Sequence, residues 1–411
     1  MKFKLEPGTR GGWGRQFLAS SAPVSCPPAK ESRSARRQHS SRRRGCGSPC
    51  GRRLSGILVA LVASLVCGEG WAQAGLESCI QSDVIFFSTE VTFLTKGPVP
   101  PDGNPIISGG DLLGRKKQMV ETIVCLRNAQ LLAPFETTVD LGLDAIDIIH
   151  DGEERIAIFS TELDSPQQDS FRAGDLLATN GAVIPNQVLL QNFSIGFDVG
   201  LDAVHAIGEP RALLGFWSEA AQFERGEWLN DPEALLALLE AYDVDFWVST
   251  EGNAPTPSTP GLVGGDLLSV RTGQPIATNG QLLPSDVPAG IPLRGVDFGL
   301  DAVSTDRAGS LDLVHFSTEI PFTGPPAFGD SDLLGWQLGW MLSGADLVVA
   351  LEPGSQQLGL DAVAVPEPSA GASLAAGLGL LATRMTWLGR RGGGGRVGSP
   401  SRSGRARFGL R

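Results

Sequence analysis

The sequence predicts an all-β protein built from four antiparallel repeats. The expected form is a four-bladed β-propeller closed by its N- and C-terminal strands, with one inserted helix near 232–241; the alternative is a pair of β-sandwiches. Three observations carry this. Four short blocks recur in the same order along the chain. The blocks are rich in β-branched and aromatic residues and are bounded by turn formers, as strands are. The first and last copies are incomplete in complementary ways, and repetition of this kind decides the architecture.

The first block is an apolar run closing on Ser-Thr-Glu: VIFFSTE, IAIFSTE, FWVSTE and LVHFSTE, ending at Glu90, Glu162, Glu251 and Glu319. The second is Asp-Leu-Leu, beginning at Asp111, Asp175, Asp266 and Asp332. The third is an Asn before an apolar pair, in RNAQLL, PNQVLL and TNGQLL, with SGADLV as the degenerate copy. The fourth is Gly-Leu-Asp-Ala, with its aspartates at Asp144, Asp202, Asp301 and Asp361. Four blocks per copy suggest about four strands per repeat, the content of a propeller blade.

Each Gly-Leu-Asp-Ala strand is expected to pair with the Ser-Thr-Glu strand after it, because GLDAIDII-HDGEE-RIAIFSTE reads as strand, turn, strand. The first Ser-Thr-Glu strand has no such partner before it, and the last Gly-Leu-Asp-Ala has none after it. Joining the two would close a ring and cover two open strand edges. The layout resembles hemopexin-type four-bladed propellers, in architecture alone.

One interval departs from the pattern. Asp202 and Glu251 are 49 residues apart, where the corresponding pairs Asp144–Glu162 and Asp301–Glu319 are 18 apart. The extra segment carries LNDPEALLALLEAYDV, in which Asn230 or Asp231 can cap a helix and Pro232 suits its first turn.

Charge divides the chain into a body and two ends. Thirteen of the 33 basic residues lie in 1–53 and eight in 384–411. The stretch 75–383 holds 12 basic against 42 acidic residues, a net −30. Such a body repels nucleic acid, which is excluded as a partner, and attracts cations.

Residues 1–50 are basic and lack apolar periodicity, and read as a disordered or misassigned extension. Residues 51–74 follow the order of a secretory signal peptide: Arg52-Arg53, the apolar run LSGILVALVASLV, then Ala72-Gln73-Ala74 as a cleavage site. Cys67 could suggest a lipoprotein, but SLVC lacks the small residue expected before a lipidated Cys. Residues 75–364 form the repeat body. In 365–391, Val365-Pro366-Glu367-Pro368 precedes the small apolar run SAGASLAAGLGLLAT and then Arg384, Arg390 and Arg391. Only 15 residues separate Pro368 from Arg384, short for a stable span. Residues 392–411 are a further basic extension.

The tripartite tail resembles the PEP-CTERM sorting signal of Gram-negative bacteria. The resemblance covers 365–391 only, and this chain continues beyond the Arg cluster where the family usually ends. It implies recognition of the Pro-Glu-Pro motif by an exosortase, passage through the general secretion machinery and transient anchoring in the inner membrane. It also implies a place at the cell surface or outside it, often with exopolysaccharide. Of the six cysteines, only Cys79 and Cys125 fall in the body. In an oxidising compartment they can form a disulfide or stay as two buried thiols.

The recurring acids Glu90, Glu162, Glu251, Glu319, Asp111, Asp175, Asp266, Asp332, Asp144, Asp202, Asp301 and Asp361 admit two readings. Hard cations such as Ca²⁺ want several carboxylate oxygens. The same residue types also bond backbone N–H groups in turns. Trp336 and Trp340 could stack on sugar rings, or fill the core as large aromatics mostly do.

No catalytic constellation is legible. The body's histidines, His150, His205 and His315, are placed at turns or strand flanks and lack zinc spacing. There is no nucleophile elbow and no phosphate loop. Acids that repeat in every copy suit a scaffold. The expected function is therefore non-catalytic: an exported surface or matrix protein that binds ligand or polysaccharide, with calcium as a candidate cofactor. The alternative is a secreted hydrolase acting on polysaccharide.

Overall fold

The computed structural model describes residues 76–365, except 78, 81–83, 117–119, 169, 255–261, 291–294 and 355–357. The signal segment with Ala72 and Ala74, and the tail from Pro366 through Glu367 and Pro368 onward, lie outside the described residues. Among the described residues no helix is long and apolar enough to cross a membrane.

The fold is mostly β, in four antiparallel four-stranded sheets and one two-stranded ribbon. The first sheet contains β1 (Val84–Phe87), β4 (Leu112–Lys116) and β5 (Thr122–Leu126). The ribbon, β2 (Phe93–Leu94) with β3 (Ile106–Ile107), is inserted between β1 and β4. The second sheet runs in order through β6 (Ile146–His150), β7 (Arg155–Phe159), β8 (Leu176–Ala178) and β9 (Val183–Ile184). The third runs through β10 (Ala203–Ile207), β11 (Asp245–Ser249), β12 (Leu267–Ser269) and β13 (Gln274–Ala277). The fourth runs through β14 (Ala302–Ser304), β15 (His315–Ser317), β16 (Leu333–Gly335) and β17 (Gly339–Leu342).

The last strand, β18 (Val363–Ala364), joins the first sheet beside β1, with Phe86 opposite Ala364 and Phe87 opposite Val363. The end of the body thus supplies the strand that the beginning lacks, as the incomplete copies predict. The expected pairing of each Gly-Leu-Asp-Ala strand with the next Ser-Thr-Glu strand holds in every sheet: β6 with β7, β10 with β11, β14 with β15, β18 with β1.

The four leading strands also touch one another across sheets. β6 packs against β10 and β18, and β14 packs against β10 and β18. Alanine makes this approach possible. Ala145, Ala203, Ala302 and Ala362, the last letters of the four motifs, are all buried. Side-chain bonds run the same way. Ser88 Oγ donates to the Leu143 carbonyl at 3.1 Å, Ser160 to Leu201 at 2.9 Å, Ser249 to Leu300 at 2.6 Å and Ser317 to Leu360 at 3.0 Å. Each Ser-Thr-Glu block is thereby tied to the next sheet's Gly-Leu-Asp-Ala, and the fourth is tied to the first.

Two expectations need correction. The Asn block is not a strand: Asn128, Asn186 and Asn279 each open a single helical turn, and the fourth strand of each sheet lies just before it. The insertion holds three helices where one was expected: Pro210–Ala220, Arg225–Asn230 and Glu233–Tyr242. The third matches the expected position and follows Pro232, but neither Asn230 nor Asp231 caps it. The first is capped by Glu209, whose carboxylate accepts from the Arg211 and Ala212 amides. It buries Leu213, Phe216, Trp217 and Ala220 at helical spacing against the sheet of β6. Cys79 and Cys125 are joined in a disulfide, S–S 2.05 Å, that ties the segment before β1 to β5.

Candidate functional site

The Gly-Leu-Asp-Ala loop is shaped by its glycine. Gly142, Gly200, Gly299 and Gly359 have φ between +67° and +79°, a region costly for any side chain. A Cβ at these positions would stand 2.1–2.4 Å from the carboxyl carbons of Glu162, Glu251, Glu319 and Glu90. So glycine both turns the chain and leaves room for the glutamate. In three copies an upstream aspartate sets the turn: Asp140, Asp198 and Asp297 each accept from the glycine amide two residues on. That outer aspartate is a residue the sequence reading missed, although DLGLDA, DVGLDA and DFGLDA carried it.

The geometry brings five of the twelve recurring acids to within ligand distance, and three more act on them electrostatically. Oxygens of Asp144, Asp202 and Glu251 lie within 4.8 Å of one another, and so do those of Asp202, Asp301 and Glu319. Asp144 thus meets Glu251, and Asp202 meets Glu319, each pair spanning two sheets. Asp361 and Glu90 act on the same cluster, and Glu162 acts on Asp144 and Asp361. Asp202, Asp301 and Asp361 are buried, while the four glutamates are exposed. The cluster therefore opens to solvent through its glutamates.

Its electrostatics are one-sided. Burial and then neighbouring carboxylates push Asp202 and Asp361 up to about 10. Asp144 and Asp301 are raised well above the carboxylate range for the same two reasons. Glu90, Glu162, Glu251 and Glu319, exposed as residues, are raised as well, chiefly because their carboxyl ends are partly buried. The charges that act most strongly on the four aspartates are all carboxylates. One oxygen of each aspartate, the Oδ2 of Asp144, Asp202, Asp301 and Asp361, is buried without a hydrogen-bond partner. Buried polar atoms are normally satisfied. Four equivalent exceptions, all in one acidic cluster, fit hard-cation ligands.

The four Asp-Leu-Leu aspartates are committed elsewhere. Asp111 Oδ1 accepts from the Asn128 amide at 3.0 Å, Asp175 from Asn186 at 3.1 Å, Asp266 from Asn279 at 3.0 Å and Asp332 from Gly344 at 3.1 Å. They hold the start of each helical turn, which is the turn role weighed for them. Asp111 and Asp175 also pair with Arg127 and Arg225 at 2.6 Å. Asp266 is pushed up to about 6, by burial foremost and by Asp297. The asparagines then staple each turn to the next loop, as where Asn128 Nδ2 donates to the Gly110 and Gly142 carbonyls. In the degenerate copy a Cβ on Gly344 would meet Ser331 at 2.4 Å.

A second polar cluster escaped the sequence reading. His205 is not at a strand flank but inside β10, fully buried, with Nδ1 3.2 Å from Asp147 Oδ2. Arg307, from the turn after β14, grips Asp147 and also donates to the Ala206 and Ile148 carbonyls at 2.7 and 2.5 Å. Burial alone would raise Asp147, but Arg307 and His205 hold it well below the usual range. Asp147, His205, Ser304 and Ala364 occupy equivalent positions, three residues after the cluster aspartates, so they are where the repeat breaks. Trp336 is half-buried against the core around Phe316 and Leu334, which suits packing, and the Trp340 side chain lies outside the described atoms.

Comparison of the chain with protein-family models, curated proteins and solved structures finds no match.

Proposed function

We propose that this protein is an exported, non-catalytic surface or matrix scaffold whose four sheets are the blades of a propeller, clamped at their centre by a hard cation, with calcium the expected ion. The observation that carries the reading is the set of four buried, unpartnered aspartate oxygens in an acidic cluster, five of whose carboxylates close to ligand distance. Acids that recur in every repeat suit a shared structural ion better than a single reaction centre. The cyclic contacts of β6, β10, β14 and β18, and the four Ser-to-Leu bonds, support the propeller.

The export reading rests on the tail. Val365, the last described residue, donates its amide to Ser304 Oγ at 3.0 Å, and the Pro-Glu-Pro motif starts at the next residue. An exosortase could therefore act without unfolding the sheets. Association with extracellular polysaccharide is the expected setting.

Thermal melting under calcium titration tests the reading. A cation at 100 times its Kd adds about 2.7 kcal/mol to the folded state. The expected rise in Tm is on the order of 5–10 °C. A Tm unchanged by calcium, after chelator treatment, sinks the proposal.

A further inference from the structure

We infer that the cluster holds two cations at adjacent positions, with Asp202 as the carboxylate that bridges them. The inference rests on the reading that these acids bind a hard cation, and it adds their number and place.

The two close groups are not separate. Asp144, Asp202 and Glu251 form one, Asp202, Asp301 and Glu319 form the other, and Asp202 belongs to both. Around a calcium ion, oxygens at about 2.3–2.6 Å stand no more than about 5 Å apart. Each group, with its oxygens within 4.8 Å of one another, therefore matches one ion, but no single group takes in all five residues. A carboxylate has two oxygens, so Asp202 can serve both ions at once. Carboxylate-bridged ions of this kind sit about 4 Å apart.

Burial points the same way. Asp202 and Asp301 are 5% and 9% exposed, and their Oδ2 atoms, with that of Asp144, lack any partner. Asp202 Oδ2 is common to both groups, and each adds one more buried oxygen without a partner, from Asp144 or Asp301, together with one exposed glutamate through which an ion can enter.

The sequence repeat alone would make four groups. Among the described residues, only the two that span the second, third and fourth sheets close to ligand distance. Asp361 takes part in neither.

Equilibrium dialysis of the full chain against Ca²⁺, with the bound metal measured by atomic emission, tests the inference. The expected result is two Ca²⁺ per chain. Asp202→Asn should weaken both by at least tenfold. Asp144→Asn should remove one and leave one, and Asp361→Asn should leave two. A stoichiometry of one for the wild-type chain overturns the two-ion inference while the cation reading stands. A stoichiometry of zero overturns both. If a variant loses its β-sheet circular dichroism, the wild-type stoichiometry still decides.

Discussion

At the scale of residues, each letter of the repeated motifs has a physical task. In Gly-Leu-Asp-Ala the glycine supplies a positive φ and space for a glutamate, and the leucine carbonyl receives a serine from the preceding sheet. The aspartate enters the acidic cluster, and the alanine lets two strands approach. In Ser-Thr-Glu the serine makes the cross-sheet bond and the glutamate completes the cluster. The threonine braces its own turn, as Thr161 does by donating to the Leu163 carbonyl at 3.0 Å. The cluster makes the metal-free protein sensitive to pH. Its aspartates are raised far above their unfolded value of about 3.9. Between that value and about 10 the folded state holds more protons than the unfolded one, so stability falls as pH rises. Chelator-treated protein should melt highest near pH 4–5 and progressively lower toward pH 9. Calcium should flatten or reverse that slope above pH 7, because bound metal replaces the protons. A melting series in matched buffers, with and without chelator, reads both slopes.

At the scale of elements, the strands were legible because their blocks repeat, and so was their pairing, which followed from the short turns between them. The helical turns at Asn128, Asn186 and Asn279 were not. Four residues carry no helical period, and what starts each turn is an aspartate 11–17 residues upstream. The helix Pro210–Ala220 did carry a signal, in the spacing of Leu213, Phe216, Trp217 and Ala220, but the richer leucine run after Pro232 drew the reading to itself. The cluster of Asp147, His205 and Arg307 could not be read from local sequence, since Arg307 lies 160 residues from Asp147. Yet this cluster joins the turn after β14 to β6 and β10, and its stability role is large. Arg307→Met would leave Asp147 buried without its guanidinium partner, and breaking such a pair costs about 3–5 kcal/mol. Urea denaturation should show that loss. The double variant with Asp147→Asn should recover much of it, because the uncompensated charge is gone.

At the scale of the whole molecule, β18 decides whether the four sheets behave as one body. It covers the edge of β1, it carries Asp361 into the acidic cluster, and through Leu360 it receives the bond from Ser317. It also sets direction. The chain runs from Asp361 at the cluster to Val365, whose amide donates to Ser304 Oγ at 3.0 Å. Two truncations separate the role of β18 from that of the tail. A chain ending at Val365 keeps every bond made by β18 and should match the longer chain in Tm and in size-exclusion volume. A chain ending at Glu352 lacks β18, and the apolar strand Val84–Phe87 becomes an open edge of the kind that recruits other chains. It should elute as aggregate, or as an oligomer in which one chain's β1 pairs with another's. If it remained a monomer with unchanged Tm, β18 would be an accessory strand, because the bond from Ser317 to Leu360 is lost with it.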